Sequence, residues 1–116
     1  MMALAFVVDP AVPTLSRWID HVDHAVAVMG IEHVGIGADF VDQVVSNAST
    51  VDAAATAELK AGIGLEGFTG PDHYPALVGV LGERGYEGER LEAITNANWL
   101  RVLRETMPGK CVRART

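Results

Sequence analysis

The chain has 116 residues, 49% hydrophobic, 21% charged and 6% aromatic, a balance that excludes disorder and low-complexity repeats and allows one domain. A formal net charge of -6 speaks against nucleic-acid binding through bulk charge, and the only basic cluster is the tail Lys110, Arg113 and Arg115. One cysteine, Cys111, excludes an internal disulfide and points to a reducing, cytoplasmic setting, while no segment approaches the roughly 20 apolar residues needed to span a bilayer.

The apolar start Ala3 to Val8 has no positive flank and meets Asp9-Pro10 at once, so it predicts a buried strand rather than a signal peptide. A chain opening on a buried strand suggests that something preceded it. Thr14 caps a helix in which Leu15, Trp18, Ile19, Val22, Val26 and Met29 form one apolar stripe, with Arg17, Asp20, Asp23 and His24 on the other side. Gly30 ends it. His33 to Phe40 predicts a second strand, completing a right-handed βαβ unit. Alternation places Val34, Ile36 and Ala38 on one face and Gly35, Gly37 and Asp39 on the other. The second face carries no side chain until it ends in a carboxylate, the kind of place where α/β proteins build sites.

Val41 to Thr50 is irregular, Val51 to Ala61 predicts an Ala-rich helix, and the glycines of Gly62 to Asp72 mark a loop. Tyr74 to Arg84 predicts a helix with Pro75 in its first turn, closed by Gly85. Glu89 to Ala97 and Asn98 to Met107 form one broken helix or two short ones, ended by Pro108-Gly109. Neither an internal repeat nor a linker divides the chain. It reads as one unit over residues 1–107 with a frayed tail over 108–116.

Asp39 is the leading candidate for chemistry, as an acid/base or ion-binding carboxylate at a strand end, set against a turn or cap Asp bonding nearby backbone. Asp20-His21-Val22-Asp23-His24 looks like a metal cluster. It sits inside the strongest helix, however, where residues two apart diverge, so a solvated face is favoured. The loop Gly62 to Gly70 matches no phosphate-binding fingerprint and reads as a connection, with Glu66 a solvated charge. Ser46, Ser49 and Thr50 lack the context of a hydrolase nucleophile, His73 reads as the neighbour of a helix start, and Cys111 has no paired His. Trp18 and Trp99 lie on helical stripes and read as core.

The order of features resembles one family, the renal or membrane dipeptidases, zinc-dependent peptidase family M19. The matching segments are Pro13-Thr14-Leu15, Asp20-His21-Val22-Asp23-His24, and Gly30 with His33 through Phe40. Further along come Gly64-Leu65-Glu66, Tyr74-Pro75, Arg84-Gly85-Tyr86 and Asn98-Trp99-Leu100-Arg101-Val102. The resemblance implies an α/β fold: the C-terminal βαβα portion of a (β/α)8 TIM barrel of the metal-dependent hydrolase type, with Met2 to Val8 as the seventh strand and His33 to Ala38 as the eighth. It also implies hydrolysis of dipeptides at a two-zinc centre, whose ligands in the family lie upstream of the region represented by this chain and have no matching positions here. The implied expectation is that the chain alone holds no zinc and is inactive. The family active-site residue that carries over is Asp39, from a D-F-D-G motif in which the Asp sits by the metal-bound water and helps with proton transfer and the substrate's amino end. Here Val41-Asp42 replaces Asp-Gly after Phe40, leaving Asp42 as a shifted carboxylate to consider.

Two functional readings follow. One is the C-terminal piece of a zinc dipeptidase, completed by a partner chain carrying the other barrel units. The other is a non-catalytic α/β binding or oligomerisation module derived from that fold. Two strands cannot close a barrel, so the chain alone is expected to form a homo-oligomer or to need a missing partner, whereas a cooperatively folding monomer would favour the module.

Overall fold

The computed structural model describes residues 8–40 and 64–107. The predicted strand Ala3 to Val8 lies outside these except for Val8, which is helical rather than extended, and buried. The irregular stretch Val41 to Thr50, the helix Val51 to Ala61 and the tail 108–116 also lie outside the described residues.

Helix α1 spans Leu15–Met29. Thr14 Oγ1 accepts from the Arg17 N–H at 3.3 Å, and Gly30 follows at φ 86°, a conformation that favours glycine. Leu15, Trp18, Ile19 and Val22 are fully buried, whereas Val26 is half-buried and Met29 exposed. The apolar stripe is therefore buried over its first two turns, Val26 packs against the core beyond them, and Met29 leaves it. A 3-10 turn, Ile31–His33, follows. Helix α2, Tyr74–Glu83, carries Pro75 in its first turn, where the missing N–H has no helical acceptor to lose. Gly85 closes it at φ 82°.

The last helical run is continuous through α3, Gly88–Glu92, a π turn, Ala93–Ala97, and α4, Asn98–Thr106. The predicted break thus falls on a wide turn rather than a gap. There the Asn98 N–H reaches back to Ala93 O, so Ile94 O is free to accept the Ile36 N–H at 3.2 Å.

No strand ladder occurs among the described residues. The segment 34–40, predicted as a strand, keeps the alternation of one: Val34, Ile36 and Ala38 are buried, Gly35 and Gly37 half-buried, and Asp39 exposed. His33 belongs to the 3-10 turn instead. The two-strand βαβ arrangement is thus not seen among the described residues; in place of ladder partners, the segment 34–36 is held by the last helical run.

The core joins Val34, Ile36 and Ala38 to Trp18, Ile19 and Val22 of α1, Leu77 and Leu81 of α2, Ile94, and Leu65 and Phe68 from the loop before α2. Fully burying each Ile or Leu contributes roughly 1.5–3 kcal/mol. Trp18 stacks at 5.5 Å from Phe68, and its indole N–H finds no hydrogen-bond partner among the described residues.

Trp99 was expected in the core but is 46% exposed. Its indole lies over Gly35: a Cβ built there would stand 2.6 Å from Trp99 Nε1. A helical stripe does not separate a residue buried in the core from one laid along a neighbouring backbone. Gly35→Ala is expected to lower stability by about 1–3 kcal/mol, the usual range for overpacking, measured by chemical denaturation. Unchanged stability would show that the indole is not held against this backbone.

Candidate functional site

Asp39 ends the buried alternating segment and is exposed. It is the one non-glycine residue at positive φ among the described residues, at 56°. Asp tolerates this left-handed region better than most residues, at a cost on the order of 1 kcal/mol. The chain is pinned on both sides of it. Ala38 is buried before it, and after it the Phe40 ring packs 5.2 Å from Phe68 and 5.9 Å from Tyr74. The turn reading would have Asp39 bond the local backbone, but its side chain makes no hydrogen bond among the described residues. An exposed carboxylate on a backbone fixed at both ends can carry a proton or pair with an ammonium group without first reorganising. Asp42 lies outside the described residues.

The Asp20 to His24 segment is more than a solvated face. Asp20 and Asp23, three apart on α1, grip one guanidinium. Arg84 Nη2 donates to Asp20 Oδ1 at 2.7 Å and to Ser16 Oγ at 3.0 Å, while Nη1 donates to Asp23 Oδ2 at 2.8 Å. The Tyr86 hydroxyl donates to Asp23 Oδ1 at 2.6 Å, and Arg90 lies 5.3 Å above the Tyr86 ring. The hydrogen bond from Arg84 holds the Asp20 carboxyl below its ordinary range, and the same bond raises Arg84. Burial, then the bond to Asp23, pushes Tyr86 up to about 12. Arg84 and Tyr86 thus fasten the end of α2 to α1, a role that reading residues singly did not find. Their signal was pairing of complementary charge across sixty positions, which no local pattern displays.

Two further histidines are also committed. His21 Nε2 donates to Val8 O at 2.7 Å, and His73 Nδ1 accepts the Thr69 N–H at 3.0 Å. The Glu66 N–H bonds Pro13 O at 3.0 Å and the Phe68 N–H bonds Leu65 O at 3.1 Å, so these amides, like that of Thr69, are not free to hold an anion. The Glu66 side chain is exposed. No three His, Cys, Asp or Glu side chains come together to hold a metal among the described residues. A zinc centre does not fit the residues described.

Asn98 and Trp99 hold the backbone that leads to Asp39. Asn98 Nδ2 donates to Ile31 O at 2.7 Å and Val34 O at 2.8 Å, and Trp99 Nε1 to Ile36 O at 2.8 Å. Arg101 Nη2 adds a bond to Glu32 O at 2.7 Å. Beside these contacts is a pocket of about 210 Å³ lined by residues that include Glu32, His33, Gly35, Trp99, Arg101 and Val102. That is below the roughly 300 Å³ at which small-molecule sites begin. Its Gly35 wall lies four residues before Asp39.

Residues 1–64 match the model of one protein family, "Membrane dipeptidase (Peptidase family M19)". The chain is 33% identical over 97 residues to the dipeptidase ataJ of Aspergillus terreus (strain NIH 2624 / FGSC A1156), covering 84% of this chain and 19% of that protein. The dipeptidase tcpJ of Claviceps purpurea (strain 20.1) is 31% identical over 97 residues, 84% of this chain and 19% of its own. The dipeptidase verJ of Clonostachys rogersoniana is 33% identical over 95 residues, 82% and 20%. The chain thus spans about a fifth of the length of these relatives. No solved structure matches.

Two outcomes test this geometry. Asp39→Gly is expected to leave the fold as stable or up to about 1 kcal/mol more stable, because glycine adopts positive φ freely; a clear loss in thermal unfolding would make Asp39 a structural turn residue. The raised Tyr86 favours the folded state while its hydroxyl stays protonated. Its contribution is whole below pH 10.0, the ordinary value, and fades as pH rises toward about 12. Tyr86→Phe is expected to remove that alkaline loss from the stability-pH profile.

Proposed function

The chain belongs to the membrane dipeptidase family, peptidase family M19, and on that premise we propose that it is the part of a dipeptidase that supplies the Asp39 carboxylate. The family is one of TIM-barrel metal hydrolases. The observation that carries the reading is Asp39 itself, an exposed carboxylate at positive φ closing a buried, alternating segment.

In this reading Asp39 accepts a proton as water adds to the peptide carbonyl and returns it to the departing amine. A positioned carboxylate in that role contributes typically 10²–10⁴-fold. Its charge also suits the ammonium end of a dipeptide. No step is assigned to zinc on these residues. The substrate is a dipeptide, and hydrolysis needs the portion of the fold that the relatives carry outside this segment, in the same chain or in a partner. The single cysteine agrees with a cytoplasmic protein. Among the described residues no helix is long and apolar enough to cross a membrane.

A second reading, the non-catalytic binding or oligomerisation module, draws on α4 and the residue after it, where Leu100, Leu103 and Met107 are exposed. The two readings part in one experiment. Residues of this chain replace the matching segment of the Aspergillus terreus dipeptidase, and the graft is assayed on dipeptides. We expect turnover in the graft, at least 100-fold less with Asp39→Asn, and none from the chain alone. A folded graft in which Asp39→Asn costs nothing would overturn the catalytic role, and a folded but inactive graft would favour the module.

A further inference from the structure

The segment 34–38 has buried backbone and no strand beside it among the described residues, so its polar groups must be met in another way. At Val34 and Ile36 they are met largely from one helical run, the Val34 N–H going instead to Ile31 O. Ile94 O takes the Ile36 N–H, Trp99 Nε1 takes Ile36 O at 2.8 Å and Asn98 Nδ2 bridges Ile31 O and Val34 O. The close approach of the indole needs a residue without Cβ at position 35. The last of these anchors lies three residues before Asp39, and the next one, Phe40 between Phe68 and Tyr74, lies one residue after it. Side chains of an extended segment alternate between faces, so a slip of one residue would turn Asp39 to the opposite side.

We propose that Asn98 and Trp99 are positioning residues for Asp39, fixing its register and direction through the Val34 and Ile36 carbonyls. The proposal rests on the reading of Asp39 as a proton-handling carboxylate. Neither residue touches the reacting atoms. Trp99→Phe keeps a ring over Gly35 and deletes only the N–H. Asn98→Leu keeps similar bulk and deletes both bridges.

The test has two arms. In the full chain, amide exchange is followed by NMR. Each variant is expected to speed exchange of the Ile36 amide about tenfold or more, while the Ile19 and Val22 amides of α1 change by less than about threefold. Equal acceleration in α1 would overturn the proposal by reducing both residues to general stability, and an unmoved Ile36 amide would overturn it directly. In the graft, Trp99→Phe is expected to lower kcat about tenfold with KM within about twofold. Combined with Asp39→Asn it should cost nothing beyond Asp39→Asn alone, since a residue acting through another is non-additive with it. Full additivity would overturn the link to Asp39. Undiminished turnover with Asp39→Asn would instead overturn the reading of Asp39, leaving the exchange arm to decide whether the segment is held by Asn98 and Trp99.

Discussion

Buried main chain must be hydrogen-bonded, and the carbonyls of Ile31, Glu32, Val34 and Ile36 meet that demand through side chains, with no neighbouring strand among the described residues. Asn98, Trp99 and Arg101 all donate to carbonyls of this stretch, and the π turn turns one more carbonyl toward it. Each donor sits on the same helical run, so the run and the segment cannot move independently. Gly35 is small because an indole lies against it, and the direction of Asp39 follows from the same contacts.

A second coupling fastens the first half of the described fold to α2. Ser16, Asp20 and Asp23 surround Arg84, and Asp23 also takes the Tyr86 hydroxyl. The ion-paired side chains of Arg84, Asp20 and Asp23 are 32%, 44% and 39% exposed, and pairs of that kind add little to stability. Their geometry does more for alignment, because a planar guanidinium held by two carboxylates fixes the angle between the elements that carry them. Both couplings join stretches that the resemblance had matched separately: Asp20 to His24 with Arg84 to Tyr86, and His33 to Ile36 with Asn98 to Arg101. The matching stretches are therefore largely the contacts of the fold, and Asp39 stands apart from them as a residue with no structural bond of its own among the described residues.

Helix α1 was legible because its signals are local: a Thr cap, an apolar period and a closing glycine all lie within one stretch. The alternation of Val34, Ile36 and Ala38 was legible for the same reason. What that alternation could not tell was the partner, since an extended segment alternates whether a strand or a set of side chains satisfies its backbone. Trp99 was misplaced in the core because periodicity marks a face and not what covers it. The acidic face of α1 was read as solvated from its helical spacing, yet its partner, Arg84, lies too far along the chain for any local pattern. Asp39 as a site came from its place at the end of the segment and from the family, and the left-handed turn beneath it emerges only in three dimensions.

The π turn at Ala93–Ala97 has one more consequence. A turn closed from residue i to i+5 holds one residue more than an ordinary helical turn, and each residue advances the helix by about 100°. The turn therefore acts as a phase shifter: it lets Ile94 face the core while Asn98 and Trp99, further on, still face the same segment. Were the same residues wound as an ordinary α-helix, everything downstream would rotate by about 100°, more than a quarter of a circle, and both donors would leave their carbonyls. The wide turn is thus the condition on which Ile94, Asn98 and Trp99 serve one segment together.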